Sequence, residues 1–525
     1  MTPAAQNGQY QHFVPQFLLK NFAHKVPKAP KGPKGAPKPK YEKGMYPGDL
    51  VISSLDLTQD TAVFTEKPVS RILGQINMYD DFTKPSGEQR DVEKSLSKLE
   101  GQAALIFTKI TKAYAAGDGG VVLTRDERNL IRKFLFLMKY RNRRFHVRFF
   151  HDKPEAYSED DKYVLRDYMA DNPQFKTPMQ VWLHGIKTII NLDMDTDGKW
   201  ELELPKKMYP DDAFWFMTHV QSFYMALCVP SEAENEFILA DNSYAVHEGP
   251  NQYARDIKSN KEEALAYAEL HQFAPVSPKI MVVLRSCLLP NPLEDQDPEV
   301  KEKRGFERSM VMEAHGNAKG LLADLPVGKA GNNYSRIVDD RIVLDENYVG
   351  RRKDHQFHFP FFPIQSRHVN TINSLFLDNC LGCTSLVFNC KKAFARLLEW
   401  YLTADPFTIG KIMLGEDKKD RLKTLKKLDA VSHSLGSKKR AVWIMHTLRP
   451  TVDDHEQLRL GNLERYRKFK EVFSDDAKKM DDEAWFKSVE ELVALTRRLS
   501  QPTTSSISSY EMLGKAPTYN NMDSR

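Results

Sequence analysis

Five side chains carry most of the chemistry that the 525-residue sequence offers: His12, Glu93, Glu100, Arg141 and Asp241. A histidine exchanges protons near neutral pH and serves as a general acid or base. Glu93 and Glu100 are seven residues apart and flank Leu96, so a helix places all three on one edge. Arg141 continues the 4, 3, 4 spacing of Leu130, Phe134 and Leu137, which sets a guanidinium on an apolar stripe. Such a charge costs several kcal/mol unless paired, and the glutamates are the nearest candidates in sequence. The alternative is an arginine at a helix end that snorkels into water. Asp241-Asn242 directly follows an apolar run, where binding residues often sit, although both also favour turns and caps. Together they would supply acid–base groups, metal-holding carboxylates and an anion clamp, the chemistry of a hydrolase or nuclease-like enzyme acting on a phosphate-bearing substrate. A divalent metal is the cofactor such a set would admit. The competing reading is a non-catalytic binding or scaffold protein whose buried polar set only fixes the fold.

The elements that must position these groups follow from periodicity. His12 lies in Tyr10-Gln11-His12-Phe13-Val14-Pro15-Gln16-Phe17-Leu18-Leu19-Lys20-Asn21-Phe22, too apolar for a frayed terminus, so the arm should pack into the body, with His12 as a reactive group or a satisfied core residue. Val92, Leu96, Leu99, Ala103, Ile106 and Ile110 predict a helix from about 88 to 115. Thr124 and Glu127 form a capping box for a second helix running to about 150. The Gly-rich link 116–120 should set the two helices antiparallel. Strands are expected at 49–56, near 62–64, at 223–229, 236–240 and 280–284. A hairpin is expected with 189–192 and 200–204 flanking the Asp197-Gly198 turn. Residues 290–352 read as loop-rich. Helices are expected at 211–221, 369–378, 391–402, 416–428, 437–447 and 481–499.

Several of these blocks resemble the DUF4238 family. The arm resembles its H-x-V-P-x-x-x-L-x-x-F opening. Residues 91–100 are similar to its helix with paired glutamates, and Phe134 to Arg144 to its following arginine-bearing helix. Phe237-Ile238-Leu239-Ala240-Asp241-Asn242-Ser243 resembles its strand ending in S-D-N-P, with Ala240 and Ser243 in place of the serine and proline. Residues 276–285 are similar to its proline-led strand, and 370–373 fall in its asparagine-bearing helix. The resemblance implies Asn242 and Asn373 as substrate-binding candidates; the family's function is unknown.

Other patterns exclude more than they propose. Asp193-Met194-Asp195-Thr196-Asp197-Gly198 matches the front of a calcium loop, but Leu204 stands where a bidentate glutamate is needed. Cys380 and Cys383 with Cys390 have zinc-like spacing without the second Cys-x-x-Cys, so buried thiols are the simpler reading. Walker, Gly-x-Gly-x-x-Gly and Gly-x-Ser-x-Gly motifs are missing. A net charge of +5 from 76 basic and 71 acidic residues gives no nucleic-acid footprint by itself. The basic concentration Lys25 to Lys43, interleaved with prolines, reads as an extended surface loop and is the one place nucleic acid would be met. No 18-residue apolar run and no leader-like start are present, and five cysteines suit a reducing compartment, so no membrane span and a cytoplasmic or nuclear location are expected. The expected fold is α+β: a mainly helical body with a modest antiparallel sheet over residues 9–402, a charged helical extension over 403–500 and a polar tail from 501 to 525.

Overall fold

Eight consecutive buried residues in the strand Phe223–Pro230 set the architecture, because a strand buried along its whole length must be covered on both faces. The computed structural model describes residues 8–28, 42–157, 161–255, 262–312, 320–409, 411–413 and 418–445, together with 481 and 484. Within them we label the strands β1 (Tyr10–His12), β2 (Leu50–Asp56), β3 (Gly74–Ile76), β4 (Gly120–Thr124), β5 (Phe223–Pro230), β6 (Leu239–Ala240), β7 (His271–Ser277), β8 (Ile280–Ser286), β9 (Gln356–Ile364) and β10 (Ser385–Val387). The helices used below are α1 (Asp91–Ala116), α2 (Arg125–Tyr140), α3 (Arg143–Phe149), α4 (Lys199–Lys207), α5 (Ser366–Asp378), α6 (Lys391–Thr403) and α7 (Lys418–Ser434).

The fold is α+β, and its main sheet is mixed. β5 pairs antiparallel with β8, which pairs antiparallel with β7. On its other side β5 runs parallel to the second half of β9, Phe361 opposite Leu227, while the first half of β9 pairs antiparallel with β4. The chain between β5 and β9 is long enough for the crossover that parallel pairing requires. The expected modest antiparallel sheet is corrected accordingly. Side chains alternate across this sheet: Met225, Leu227 and Val229 face a core built with α1 and α2, whereas Ala226 and Cys228 face a second core with α5, α6 and α7. A smaller antiparallel sheet joins β2, β10 and β6.

Local chemistry explains the other departures from periodicity. Residues 200–204 form helix α4, not a strand. Trp200 and Leu204 are buried four apart while Leu202 is 75% exposed, and Asp195 caps the helix by accepting from the amides of Lys199 (3.0 Å) and Trp200 (2.9 Å). The second long helix breaks at Arg141: the Thr124–Glu127 capping box starts α2, and Asn142 accepts from the Phe145 amide to start α3. The strand expected at 236–240 shrinks to β6, because the Asn373 side chain takes the Ile238 amide (3.1 Å) and donates to the Glu236 carbonyl (2.8 Å). Residues 290–352 contain the helix Pro298–Met312 and the hairpin Ser335–Val338 with Arg341–Leu344. Residues 437–445 are not helical: Gly436, at φ 98°, ends α7, and Ser437 hydrogen-bonds Glu399. Most of the Lys25–Lys43 loop, nearly all of 481–499 and the 501–525 tail lie outside the described residues.

The amino-terminal arm is held into the body by backbone pairing. β1 pairs antiparallel with β3, His12 opposite Gly74, and Leu73 O accepts from the amides of Phe13 (3.1 Å) and Val14 (3.3 Å). Asn21 reaches Val276 O at 2.8 Å, tying the arm to β7. At Gly74 a Cβ would sit 2.5 Å from Gln11 O and 2.6 Å from the Tyr10 ring, so only glycine permits this approach. We predict that Gly74→Val lowers unfolding free energy in urea by about 2–3 kcal/mol. It should also speed hydrogen exchange at the Phe13 and Val14 amides; unchanged protection there would show that β3 does not hold the arm.

Candidate functional site

Arg141 is 1% exposed at the break between α2 and α3, and its Nη2 donates to Glu100 Oε1 at 2.5 Å. Its Nε and Nη1 are buried without a hydrogen-bond partner among the described residues. A buried guanidinium left this way is costly, and each such group asks for an explanation. The Tyr79 ring lies beside it, 5.9 Å from the guanidinium carbon, and the Tyr79 hydroxyl donates to Arg141 O at 3.0 Å. Tyr79 is placed in turn by Gln11, whose fully buried amide accepts from the Tyr79 backbone at 2.7 Å and donates to Asp80 at 2.6 Å. One residue of the arm therefore positions the aromatic wall, and the next is His12.

Glu93, two turns before Glu100 on α1, is half-buried at this site. Burial pushes its carboxyl up to about 7, with Glu100 and Asp80 adding repulsion and Arg141 opposing. His12 moves the other way. Burial lowers its pKa and the positive charge of Arg141 lowers it further, against the bond to Val69 O at 3.2 Å. A carbonyl only accepts, so neutral His12 carries its proton on Nε2 and keeps the Nδ1 lone pair. The usual order of the two groups is inverted: near pH 7 Glu93 can hold a proton while His12 is a neutral base.

The structure thus brings His12, Glu93, Glu100 and Arg141 within one electrostatic neighbourhood, which also includes Tyr79 and Tyr244. Asp241 flanks it. Its field reaches the Tyr10 phenol, whose ring makes an edge contact with His12 at 5.2 Å. Its oxygens, however, accept from the Thr384 amide and hydroxyl, both at 2.8 Å, and from the Ser385 amide at 3.0 Å. Those bonds fasten the start of β10 beside β6. Burial still raises the Asp241 pKa, and these three donors and the Arg143 charge oppose the rise. Asn242 donates to the Asn379 carbonyl, with its own oxygen buried and unpartnered among the described residues. Asn373 is fully committed to the backbone of 236–238 and lies in the second core. Sequence reasoning passed over Gln11, Tyr79 and Asp80, which sit in segments without periodicity. The polar residue Gln11 between apolar neighbours was the available signal.

Among the described residues no group of three or more His, Cys, Asp or Glu side chains is gathered as a metal would require. The oxygens of Asp195 in the calcium-like segment face the α4 amides, and the five cysteines are free thiols. Among the same residues no helix is long and apolar enough to cross a membrane.

Comparison with known proteins gives one family. The model of DUF4238, a protein family of unknown function, matches residues 10–393, and the chain belongs to that family. No curated protein and no solved structure matches the chain.

The geometry of Asp241 yields a stability prediction. Asp241→Ala leaves the buried Ser385 amide and the part-buried Thr384 amide and hydroxyl without their acceptor, and should cost roughly 2–4 kcal/mol in a denaturant melt. A loss below about 0.5 kcal/mol would mean that the contact with β10 carries no stability and would return Asp241 to the reactive set.

Proposed function

We propose that this member of the DUF4238 family is a hydrolase that acts on a phosphate-bearing substrate, with Glu93 as general acid and His12 as general base. The observation that carries the reading is the inverted pair: a glutamate raised to about 7 and a histidine lowered from its ordinary value, both coupled to one buried arginine. Clusters that strain several ionisable groups at once are what acid–base sites require and what a stable core avoids. In this reading Glu93 protonates the leaving oxygen and the Nδ1 lone pair of His12 takes the proton from an attacking water. Arg141 supplies fixed positive charge that favours an anionic substrate. Glu100 holds Arg141 in place through their ion pair. A divalent ion, if the reaction uses one, would supply Lewis-acid stabilisation of the phosphoryl oxygens; among the described residues no group of three or more His, Cys, Asp or Glu side chains is gathered to hold it. Residues 9–402 form the working unit. α7 adds a layer to it by burying Leu425, Leu428 and Val431 in the second core. Five free thiols suit a cytoplasmic or nuclear setting.

A second reading, a non-catalytic scaffold, is favoured by one observation: the Arg141–Glu100 pair is closed and Asp241 is satisfied by three donors. The deciding assay is turnover of RNA, DNA, nucleotides and a phosphodiester ester, with and without Mg²⁺ or Mn²⁺. Wild type should turn over at least one, and Glu93→Gln and His12→Ala should each lose about 10²-fold or more. No turnover by any folded preparation would give the site to the scaffold.

The same pair sets a pH dependence. Between the unfolded glutamate value near 4.5 and the folded value near 7, the native chain binds more protons at Glu93 than the unfolded chain, so this group's contribution to stability falls as pH rises. His12 acts oppositely: its contribution rises with pH from its lowered folded value up to 6.5. Glu93→Gln removes only the first effect. The variant should therefore gain stability over wild type as pH goes from 5 to 8, by about 1–2 kcal/mol after solvent screening is allowed for. Calorimetric melts at the two pH values check this; an equal difference at both would refute the raised Glu93.

A further inference from the structure

The turn that joins α5 to β10 carries two thiols, and nothing in the acid–base reading uses them. Cys380 and Cys383 are its first and last residues. The Cys383 amide donates to Cys380 O at 3.0 Å, and Gly382, at φ 75°, fills the left-handed position inside the turn. A four-residue turn closed this way holds its end Cα atoms within about 7 Å, the reach of a disulfide. Both side chains belong to the second core: Cys380 is buried in it, and Cys383 packs against it while keeping partial exposure. Gly382 between them is exposed, so a small oxidant meets the turn from solvent.

The residues on either side of this turn are fastened to the end of β6. Thr384, directly after Cys383, gives its amide and hydroxyl to Asp241, both at 2.8 Å, and the Ser385 amide follows at 3.0 Å. Asn379, directly before Cys380, accepts from the Asn242 side chain. In the middle of the turn Gly382 O accepts from Arg143 Nη1 at 3.5 Å, and Arg143 opens α3 two residues after Arg141. A covalent change between the two sulfurs is therefore felt where Asp241 is held.

We propose that Cys380 and Cys383 form a reversible thiol–disulfide site that locks this turn, and with it the hold of Thr384 and Ser385 on Asp241. The oxidant is a low-molecular-weight disulfide such as glutathione disulfide. The Cys383 sulfur, the partly exposed one, gives up its proton and attacks one sulfur of the oxidant, releasing one glutathione thiol. The Cys380 sulfur then loses its proton and displaces the second glutathione from Cys383. Two electrons pass from the cysteine pair to the oxidant, and the two protons end on the two glutathiones. The second displacement is intramolecular and already in reach, which favours the closed disulfide over the mixed one. Burial pushes both thiols up, Cys380 to about 12, with the Asp241 charge adding to the rise and the Arg143 charge opposing it at Cys383. Exchange is accordingly slow at neutral pH and quickens about tenfold per pH unit. The site stands whether or not the protein is a hydrolase.

The test is to incubate the folded full chain with glutathione disulfide at about pH 8.5, then unfold it, alkylate the remaining thiols and weigh the tryptic fragments. The fragment 368–391 holds Cys380, Cys383 and Cys390. After oxidation it should lack two hydrogens and carry a single alkyl group, on Cys390, and dithiothreitol should restore all three alkylations. Cys228 and Cys287 should be alkylated throughout, and Cys383→Ser should lose the link. Hydrogen exchange at the Thr384 and Ser385 amides should be about fivefold slower or more in the oxidised wild type than in the reduced one, because the cross-link suppresses local opening. Cys383→Ser should exchange at one rate under both conditions. Full alkylation of the fragment after oxidation, a link that includes Cys390, or a glutathione adduct that persists on Cys383 would overturn the proposal. So would equal exchange at Thr384 and Ser385 in the oxidised and reduced chains.

Discussion

The burial of one guanidinium at the joint between α2 and α3 governs the candidate site. A charge that cannot be neutralised by proton loss must be answered by its surroundings, and each neighbouring feature answers it. Glu100 bonds it, the Tyr79 ring flanks it, and the Tyr79 hydroxyl holds the carbonyl of the same residue. The helix must break there as well. Arg141 leaves helical geometry at φ −101° and ψ 16°, and Asn142 opens the next helix. Without that break the guanidinium would continue along the stripe of Leu137 instead of turning back toward α1.

The same charge orders the titrations around it. Arg141 opposes the rise of Glu93 and deepens the fall of His12, yet burial decides both directions. Had the coulombic effect dominated, Glu93 would be an ordinary carboxylate and His12 alone would exchange protons near neutrality. Desolvation of two half-buried groups within the field of a fixed cation is what inverts their order. That outcome depends on the arm: β1 must be pinned through Gly74 for Gln11 to set Tyr79 and for His12 to stay out of bulk water.

What could be read from sequence followed the strength of the periodic signal. The spacing of Val92 through Ile110 marks α1 to within three residues at its start and one at its end, and the Thr124–Glu127 box marks the start of α2. Leu130, Phe134 and Leu137 carried the stripe to Arg141, and the spacing of Glu93 and Glu100 put both on the facing helix. What failed were segments where a side chain replaces backbone pairing. Asn373 occupies the hydrogen bonds a longer strand at 236–240 would need, and Asp195 converts a hairpin-like turn into the start of a helix. These are contacts between residues far apart in sequence or caps that look like turns, and neither leaves a period to find. The order of strands in the mixed sheet was beyond reach for the same reason, since the parallel pairing of β5 and β9 joins residues more than a hundred positions apart.

α2 also shows why one helix can carry two kinds of arginine. Arg141 lies among carboxylates on half-buried α1, so its field acts on protons. The contacts of Arg125, Arg128 and Arg132 include aromatic rings and backbone carbonyls around open volume. A guanidinium is the one cation suited to both settings, because its face stacks on rings while its edge donates in a fork. Lysine at the same positions would keep the charge and lose the stacking, and a point ammonium desolvates at greater cost. The apolar face of the helix, from Ile131 through Phe134 and Leu135 to Met138, anchors both ends in the first core. The helix can therefore hold its buried charges at either end only because its middle contributes enough apolar burial to offset their desolvation.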